Sequence, residues 1–399
     1  MRAQEDRASF LSSTHSIHHR KRNSVSEILI TGTGLFTPPD SITNEELVES
    51  LGRANVKWNA EHKDEIESGA VEERDMPSVK FILKASGIGH RYVMEKTGML
   101  DPDRLAPNLP TRGEDEIGIQ AEMCLPAAQE ALAQAGRTGA DVDAVIVGAS
   151  NLQRAYPAVA IEVQQALGAG GFAYDMNVAC SSATFALQNA VDAVRSGSAK
   201  CALVLCPEIT SGHNNFELRE FHFIFGDACT AVVVESSDTA NAGEAWSVLG
   251  TKLVTKFSNN IRNDFGFLNR SEDSEREPHE LMFRQNGRQV FRDVCPMVAA
   301  HIKEHVEEAG EKLEDMKRFW LHQANLGMNK LISKTLLGRD PEPEEAPVIL
   351  DEYANTSSAG SVIAFHKHRD GLVAGDAGVL CSFGAGYSVG SLVLRKLRD

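Results

Sequence analysis

Three side chains that suit acyl-transfer chemistry stand directly after apolar segments of the sequence. Cys180 follows YDMNVA and precedes SSAT, a pattern typical of a strand that leads into a helix. Because a helix N-terminus stabilises a thiolate, we expect a lowered pKa at Cys180 and a nucleophilic role. His322 lies in WLHQAN and Asn355 in YANTSSAG. An imidazole and a carboxamide can both donate hydrogen bonds to a developing enolate or oxyanion.

An internal repeat predicts that these three residues meet. Three pairs of short segments match in the same order along the chain, at nearly equal offsets of 174 to 178 residues. The matched pairs are 148–152 with 322–326, 175–183 with 351–359, and Gly197 with Gly375. Two homologous halves that face each other would place the candidate residues at the ends of equivalent strands, where open α/β sheets have their sites.

The elements that position these residues alternate between strands and helices, which predicts an α/β fold with largely parallel pairing. Apolar strands are expected at 27–31, 144–148, 172–178, 201–206, 231–235 and 377–381, and helices at 43–51, 116–136, 158–167 and 180–195. We divide the chain into a disordered N-terminal extension (1–25), an N-terminal half with cap insertions (26–236) and a C-terminal half (237–399).

Composition excludes several classes of protein. The 399 residues are 42% hydrophobic and 24% charged, which is ordinary for a globular enzyme. The net charge of −16 argues against a nucleic-acid partner, and no apolar run is long enough to predict a transmembrane helix. Seven cysteines without a close CxxC pair predict free thiols, a cytoplasmic location and no metal site.

Four motifs together resemble a known family. DMNVACSSATFALQ, FIFGDACTAVVVE, WLHQAN and YANTSSAG are similar to the β-ketoacyl-acyl carrier protein synthase III branch of the thiolase superfamily, over about 28–394. The resemblance implies a duplicated, five-layered αβαβα fold and a homodimer without a metal or organic prosthetic group. It also implies that Cys180, His322 and Asn355 form the catalytic triad.

The resemblance further implies a decarboxylating Claisen condensation. A short- to medium-chain acyl-CoA would transfer its acyl group to Cys180, and malonyl-acyl carrier protein would then lose CO2. His322 and Asn355 would stabilise the enolate that attacks the Cys180 thioester. The backbone N–H groups of Cys180 and Ala385, the latter in the glycine-rich FGAG turn, would hold the tetrahedral oxyanion.

Some positions depart from the resembled pattern. The tryptophan and arginine that sandwich the CoA adenine in compact members are Phe81 and Ala85 here, so the aromatic face is kept and the arginine is missing. The arginine after HQANL that meets the carrier protein is Gly327, and Lys330 and Lys334 are expected to take over docking. Insertions near 52–78 and 99–113 either cover the substrate entrance or thicken the surface.

Tyr156 is expected to determine part of the acyl specificity. It takes the AYP position whose aromatic, in the resembled family, reaches across the dimer interface and closes the partner's acyl tunnel. A phenol can cap an apolar tunnel if its hydroxyl finds a polar partner or water.

Other functions stay open at this point. A degradative thiolase would need a second cysteine in a CxG turn, and Cys381-Ser-Phe lacks that glycine. A synthase that joins two acyl chains, or an acyltransferase of secondary metabolism with another donor or acceptor, would share the same motifs. A cysteine thioesterase or an acyl-binding protein would differ only in the fate of the acyl group.

Overall fold

The computed structural model describes residues 26–264, 266–273 and 276–398, so the predicted extension 1–25 lies outside the described residues. The strands are β1 Ile28–Phe36, β2 Asp40–Thr43, β3 His90–Val93, β4 Ala144–Gly148, β5 Phe172–Met176, β6 Cys201–Glu208, β7 Ala228–Ser236, β8 Ala245–Thr255, β9 Ile261–Arg262, β10 Arg284–Gln285, β11 Met316–Leu321, β12 Ala377–Gly384 and β13 Ser388–Arg398. The helices are α1 Asn44–Glu61, α2 Lys63–Glu67, α3 Val79–Ser86, α4 Thr97–Leu100, α5 Ile119–Ala135, α6 Val159–Leu167, α7 Ser182–Ser196, α8 Gly287–Glu308, α9 Leu326–Leu337, α10 Leu350–Tyr353 and α11 Ala359–Lys367.

The sequence repeat corresponds to two sets of strands that pair in the same order and directions. Nine strands follow the order β11-β12-β13-β8-β1-β7-β6-β4-β5. In the first half β4 and β6 are parallel, and β7 and β1 follow antiparallel. In the second half β11 and β12 are parallel, and β13 and β8 follow antiparallel. The halves are therefore built alike, and β1 joins β8 through two residue pairs.

Apolar clusters on both sides of the strands divide the molecule into five layers. One cluster lies between the halves and contains α7, α11 and the inner faces of the strands. A second packs α5 and α6 onto the outer face of the first half, and a third packs α8 and α9 onto the second. The duplicated αβαβα arrangement is thus confirmed. The division at 236/237 stays a prediction, although β7 does end at Ser236.

One pair of repeat segments differs in secondary structure. Asp175 lies in β5, whereas the matching Asp351 lies in the short helix α10. Pro347 has no N–H for a strand ladder, and the Gln323 side chain bonds the backbone on both sides of Val348. Its amide donates to the Pro347 carbonyl at 3.3 Å and accepts the Ile349 N–H at 3.2 Å.

The cap over the two halves is larger than the sequence predicts. Helix α1 starts as expected, with a Thr43/Glu46 capping box, but continues past Leu51 to Glu61. A glycine inside a helix costs only about 1 kcal/mol, so Gly52 does not end it. The cap has an apolar core of its own, shared by α1, α3 and the aromatic segment near Phe223. None of the described helices is long and apolar enough to cross a membrane.

Candidate active site

Cys180 sits in a tight turn between β5 and α7. Ala179 adopts a left-handed backbone conformation (φ 47°), and the Asn177 side chain accepts its N–H at 2.9 Å. The turn brings Cys180 against β12, where Gly384 leaves room for it. A Cβ at Gly384 would lie 2.6 Å from the Cys180 Cβ, so a larger residue there would displace the cysteine.

The predicted lowering of the Cys180 pKa is wrong for the resting thiol. Helix α7 begins two residues later, at Ser182. Burial raises the pKa of Cys180 to about 11, while contacts with Ser357 and with the backbone N–H groups of Cys180 and Ala385 favour the thiolate and offset part of the rise. Part of the Cys180 surface faces a cavity, but the cysteine lies deep within the protein. Desolvation therefore outweighs the helix terminus.

His322 follows β11 and extends its pairing with β12 through an N–H bond of 2.8 Å to the Cys381 carbonyl. The ring packs against Phe383, with the centroids 5.2 Å apart and the planes at 83°. Burial lowers the pKa of His322 to about 4, so the imidazole is neutral at physiological pH. Within the described residues its Nδ1 has no hydrogen-bond partner.

Asn355 is held in an extended bridge beside Phe225, four residues before α11. Its N–H donates to the Ile224 carbonyl at 3.0 Å. Its Oδ1 accepts the Ser357 N–H at 2.9 Å. Because that bond occupies the oxygen and fixes the side chain, the amide NH2 is the group available to a substrate.

The structure brings Cys180, His322 and Asn355 to one cavity of about 960 Å³. Its walls are mainly apolar and aromatic, as in many small-molecule sites. The lining includes Phe81, Ile88, Phe221, Phe223, Ile224, Phe225, Ile261, Phe283, Val290, Phe291, Met328, Leu331 and Phe383. The Ala385 N–H also approaches the Cys180 sulfur, next to the N–H of Cys180 itself. Such a pair of donors can bind an oxyanion.

Glu208, at the end of β6, joins the two halves behind the cavity, and the sequence analysis missed it. Its fully buried carboxylate accepts the Ser150 N–H at 3.0 Å and the Ser150 hydroxyl at 2.6 Å. It also accepts the Ser358 N–H at 3.1 Å and the Ser358 hydroxyl. Burial raises the pKa of Glu208, against the effect of these bonds. The carboxylate thus fixes the segment that carries Asn355.

A guanidinium from another segment of the chain lies against Phe81. Arg219 lies over the Phe81 ring, with its Cζ 4.5 Å from the ring centroid, while Ala85 lines the cavity beside it. Arg219 is distant from Phe81 in the sequence and meets it only through the fold, so the sequence analysis missed this contact. Its position in ELREFHFIFGD, shortly before the FIFGD motif, was the available signal.

The basic residues near the cavity form two groups. Arg288 and Arg292 are exposed on the first turns of α8 and line the cavity, and the sequence analysis missed both. The predicted docking residues Lys330 and Lys334 are exposed on α9. Lys334 forms an ion pair with Asp340 at 3.1 Å.

Tyr156 is not part of its own chain's cavity. Its side chain is 85% exposed beside Pro157. The predicted role needs a second copy of the chain and stays a prediction. No group of three or more His, Cys, Asp or Glu residues suited to a metal ion occurs in the part of the chain that the structure describes.

Comparisons with known proteins agree with the fold and with the family that the motifs indicate. Residues 174–256 match the family model of 3-oxoacyl-[acyl-carrier-protein] synthase III, and residues 306–396 match the model of its C-terminal part. The chain is 57% identical over 349 residues to a β-ketodecanoyl-[acyl-carrier-protein] synthase of Pseudomonas aeruginosa, covering 88% of this chain and 100% of the relative. It is 34% identical over 372 residues to a β-ketoacyl-[acyl-carrier-protein] synthase III of Granulibacter bethesdensis, covering 92% and 98%.

A solved structure of 3-oxoacyl-[acyl-carrier-protein] synthase III from Aquifex aeolicus superposes with a TM-score of 0.71 at 26% identity, covering 92% of this chain and 99% of that one. The protein is therefore a condensing acyltransferase of the thiolase fold. Within that class, the chain belongs to the β-ketoacyl-acyl carrier protein synthase III family, as the motifs predicted.

Proposed function

We propose that the protein condenses a medium-chain acyl-CoA with malonyl-acyl carrier protein, releasing CO2 and leaving a β-ketoacyl group on the carrier. The observation that supports this most is the meeting of Cys180, His322 and Asn355 at one cavity. One of these groups comes from the first half and two from the second, so a nucleophile and two hydrogen-bonding side chains face the same space.

In the first step the Cys180 sulfur attacks the thioester carbonyl, and neutral His322 accepts the thiol proton. The carbonyl oxygen becomes an oxyanion that the N–H groups of Cys180 and Ala385 bind. Collapse of this intermediate breaks the bond to the CoA sulfur, which leaves with the proton. Each oxyanion donor contributes about 3 kcal/mol to transition-state stabilisation.

In the second step the malonyl thioester loses CO2, and the electron pair of the broken C–C bond forms an enolate. His322 and the Asn355 amide donate hydrogen bonds to the enolate oxygen. The enolate carbon attacks the acyl group on Cys180, and the same two N–H groups bind the second oxyanion. The Cys180 thiolate leaves and takes up one proton from the solvent, which balances the charge of the malonyl carboxylate lost as CO2.

The acyl group that we propose has eight carbons. The Pseudomonas relative is named for a β-ketodecanoyl product, and a ten-carbon product forms when malonyl adds two carbons to an octanoyl group. A cavity of about 960 Å³ with apolar walls suits such a chain. Each buried methylene contributes about 0.8 kcal/mol, so chain length is a strong determinant of binding.

Docking of the carrier is proposed at the basic residues around the cavity mouth. Acyl carrier protein is acidic and this chain carries a net charge of −16, so a local basic surface has to receive it. Arg288 and Arg292 line the cavity, and Lys330 and Lys334 lie on the neighbouring helix. These four residues are the proposed docking surface.

We further propose that the enzyme is a cytoplasmic homodimer. All seven cysteines are free, which suits a reducing compartment. Strand β5 is at the edge of the sheet with Phe172 exposed, and proteins usually cover such an edge. In that dimer Tyr156 would close the partner's acyl tunnel.

The test is intact-protein mass spectrometry after incubation with a series of saturated acyl-CoAs. The expected result is one octanoyl group per chain, with weaker labelling by shorter and longer donors and no labelling of Cys180→Ala. Acylation of the Cys180→Ala protein would contradict the role of the thiol. Tyr156→Ala in the same series is expected to shift labelling toward longer chains, and an unchanged profile in a dimeric variant would remove Tyr156 from the tunnel.

A further inference from the structure

The turn that carries the Ala385 N–H has little rigidity of its own. Glycines flank Ala385 on both sides, and Gly386 has a positive φ of 131°, which few other residues adopt. Gly384 cannot be replaced by a stiffer residue, because a Cβ there would lie 2.6 Å from the Cys180 Cβ. The direction of the Ala385 N–H therefore depends on contacts between this turn and the rest of the protein.

Two serines form one anchor of the turn. The Ser181 hydroxyl donates to the Ser388 carbonyl at 3.1 Å. The Ser388 hydroxyl in turn donates to the Ala385 carbonyl at 2.8 Å. Because Ser181 directly follows Cys180, these bonds hold the turn near the thiol.

The Tyr387 side chain forms a second anchor, to α8. Its ring is buried in the apolar cluster that packs α8 and α9 onto the second half. Its hydroxyl donates to Asp293 Oδ2 at 3.1 Å and accepts an N–H of the Asn260 side chain at 2.7 Å. The other carboxylate oxygen of Asp293 accepts from the Gln289 amide at 2.7 Å. Asp293 is thus held on its own helix and presents a fixed acceptor to the tyrosine.

This polar contact lies behind the wall of the cavity. Neither Tyr387 nor Asp293 is among the residues that line the cavity, whereas Arg288, Val290 and Arg292 of the same helix are. Burying a hydroxyl and part of a carboxylate costs free energy, and the ring alone would fill the same apolar space. A hydrogen bond to a carboxylate is directional and stronger than one between neutral groups. The pair is therefore suited to fixing a backbone position with more precision than apolar packing provides.

We propose that Tyr387 and Asp293 are positioning residues for acyl transfer, and that their hydrogen bond aims the Ala385 N–H at the oxyanion that forms at Cys180. The inference rests on the proposed function and adds two residues that contact no substrate. Loss of an oxyanion donor costs about 10²–10³-fold in rate. Because the serine anchor remains, loss of the tyrosine anchor misplaces this donor without removing it, at a cost of about tenfold.

The experiment measures single-turnover acylation of Cys180 by octanoyl-CoA, as the maximal rate and the donor concentration that gives half of it. Tyr387→Phe removes the hydroxyl and keeps the ring, Asp293→Ala removes the acceptor, and the double variant completes a double-mutant cycle. Asp293→Asn keeps a carbonyl oxygen that can accept the tyrosine O–H. Thr31→Val is the matched control, because it removes another buried hydroxyl–carboxylate bond, of 2.7 Å to Glu235, outside the cavity lining.

Tyr387→Phe and Asp293→Ala are each expected to lower the maximal rate about tenfold and to leave the half-saturating concentration unchanged, because the oxyanion exists only in the transition state and intermediate. The double variant is expected to lose no more than either single variant. Asp293→Asn and Thr31→Val are expected to stay within about twofold of the wild-type rate. An unchanged rate in Tyr387→Phe, additive losses in the double variant, or a change confined to the half-saturating concentration overturns the positioning role.

The same measurements separate this inference from the function on which it rests. Failure of the wild-type enzyme to accept an octanoyl group would contradict the proposed function and with it the positioning role. Wild-type acylation with unaffected variants would overturn the positioning role alone. Urea unfolding curves give the folded fraction of each variant, so that the rates refer to folded protein.

Discussion

Raising the pH from 6 to 10 is expected to increase the rate at which iodoacetamide alkylates Cys180 about tenfold per pH unit, without a plateau. Burial raises the pKa of this thiol from an ordinary 9.0 to about 11. At pH 8 a thiol with a pKa of about 11 is about 0.1% ionised, against about 9% for a pKa of 9.0. The thiolate fraction of Cys180 is therefore about a hundredfold lower than that of an ordinary thiol, which corresponds to about 2.7 kcal/mol. Because a more basic thiolate is about tenfold more nucleophilic, Cys180 is expected to react about tenfold more slowly.

The assay is mass-spectrometric labelling over time, with Cys180→Ala as the control for the six other cysteines, all buried. A labelling rate that levels off below pH 8 would refute the reasoning. It would show that the start of α7 overcomes desolvation after all.

Acylation by substrate is expected to follow a different pH profile from alkylation. His322, with a pKa lowered to about 4, is neutral above pH 5 and can accept the thiol proton as the sulfur attacks. The acylation rate is therefore expected to be nearly constant between pH 6 and 8 and to fall only as His322 becomes protonated near pH 4. A tenfold rise per unit in single-turnover acylation would mean that free thiolate reacts and that His322 is not the base.

Two other substitutions test the surroundings of the site. Glu208→Gln places an amide NH2 among hydrogen-bond donors. We therefore expect a loss of about 1–3 kcal/mol in the free energy of unfolding, measured with urea, together with a lower kcat. Unchanged values would show that the carboxylate is dispensable. Charge reversal in Arg288→Glu/Arg292→Glu is expected to raise the KM for malonyl-acyl carrier protein in a salt-dependent way. The control Lys312→Glu/Lys317→Glu, away from the cavity, is expected to leave this KM unchanged. An effect confined to the KM for acyl-CoA would assign the arginines to binding of the nucleotide instead.

The sequence predicts the architecture because the repeat is carried by local patterns. Apolar strands and helix starts recur at nearly constant offsets, and each is determined by a few consecutive residues. The strand at Ala144–Gly148 and the helix ending before Gly136 agree with the prediction to within a few residues. The positions of Cys180 after β5 and of His322 after β11 follow from the same patterns, because each side chain comes shortly after an apolar strand.

What the sequence does not predict depends on pairs of residues that meet only in space. Arg219 contacts both the Phe81 ring and the Asp75 carboxylate, and no local pattern records these contacts. The pKa of Cys180 depends on how deeply the two halves bury it, which only the packed structure determines. The expected lowering of the Cys180 pKa took account of the helix start but not of the larger cost of desolvation.

The two halves depend on each other for the site. Cys180 comes from the first half, whereas His322 and Asn355 come from the second. Glu208 of the first half holds Ser358 of the second, and so fixes the segment that presents Asn355. A half separated from its partner would lack either the proposed nucleophile or the groups proposed to stabilise the enolate, and would leave several hydrogen-bonding groups of Glu208 and its partners unpaired. The duplicated fold therefore supplies the asymmetry that the reaction requires, because the two copies of one unit have taken on different chemical roles.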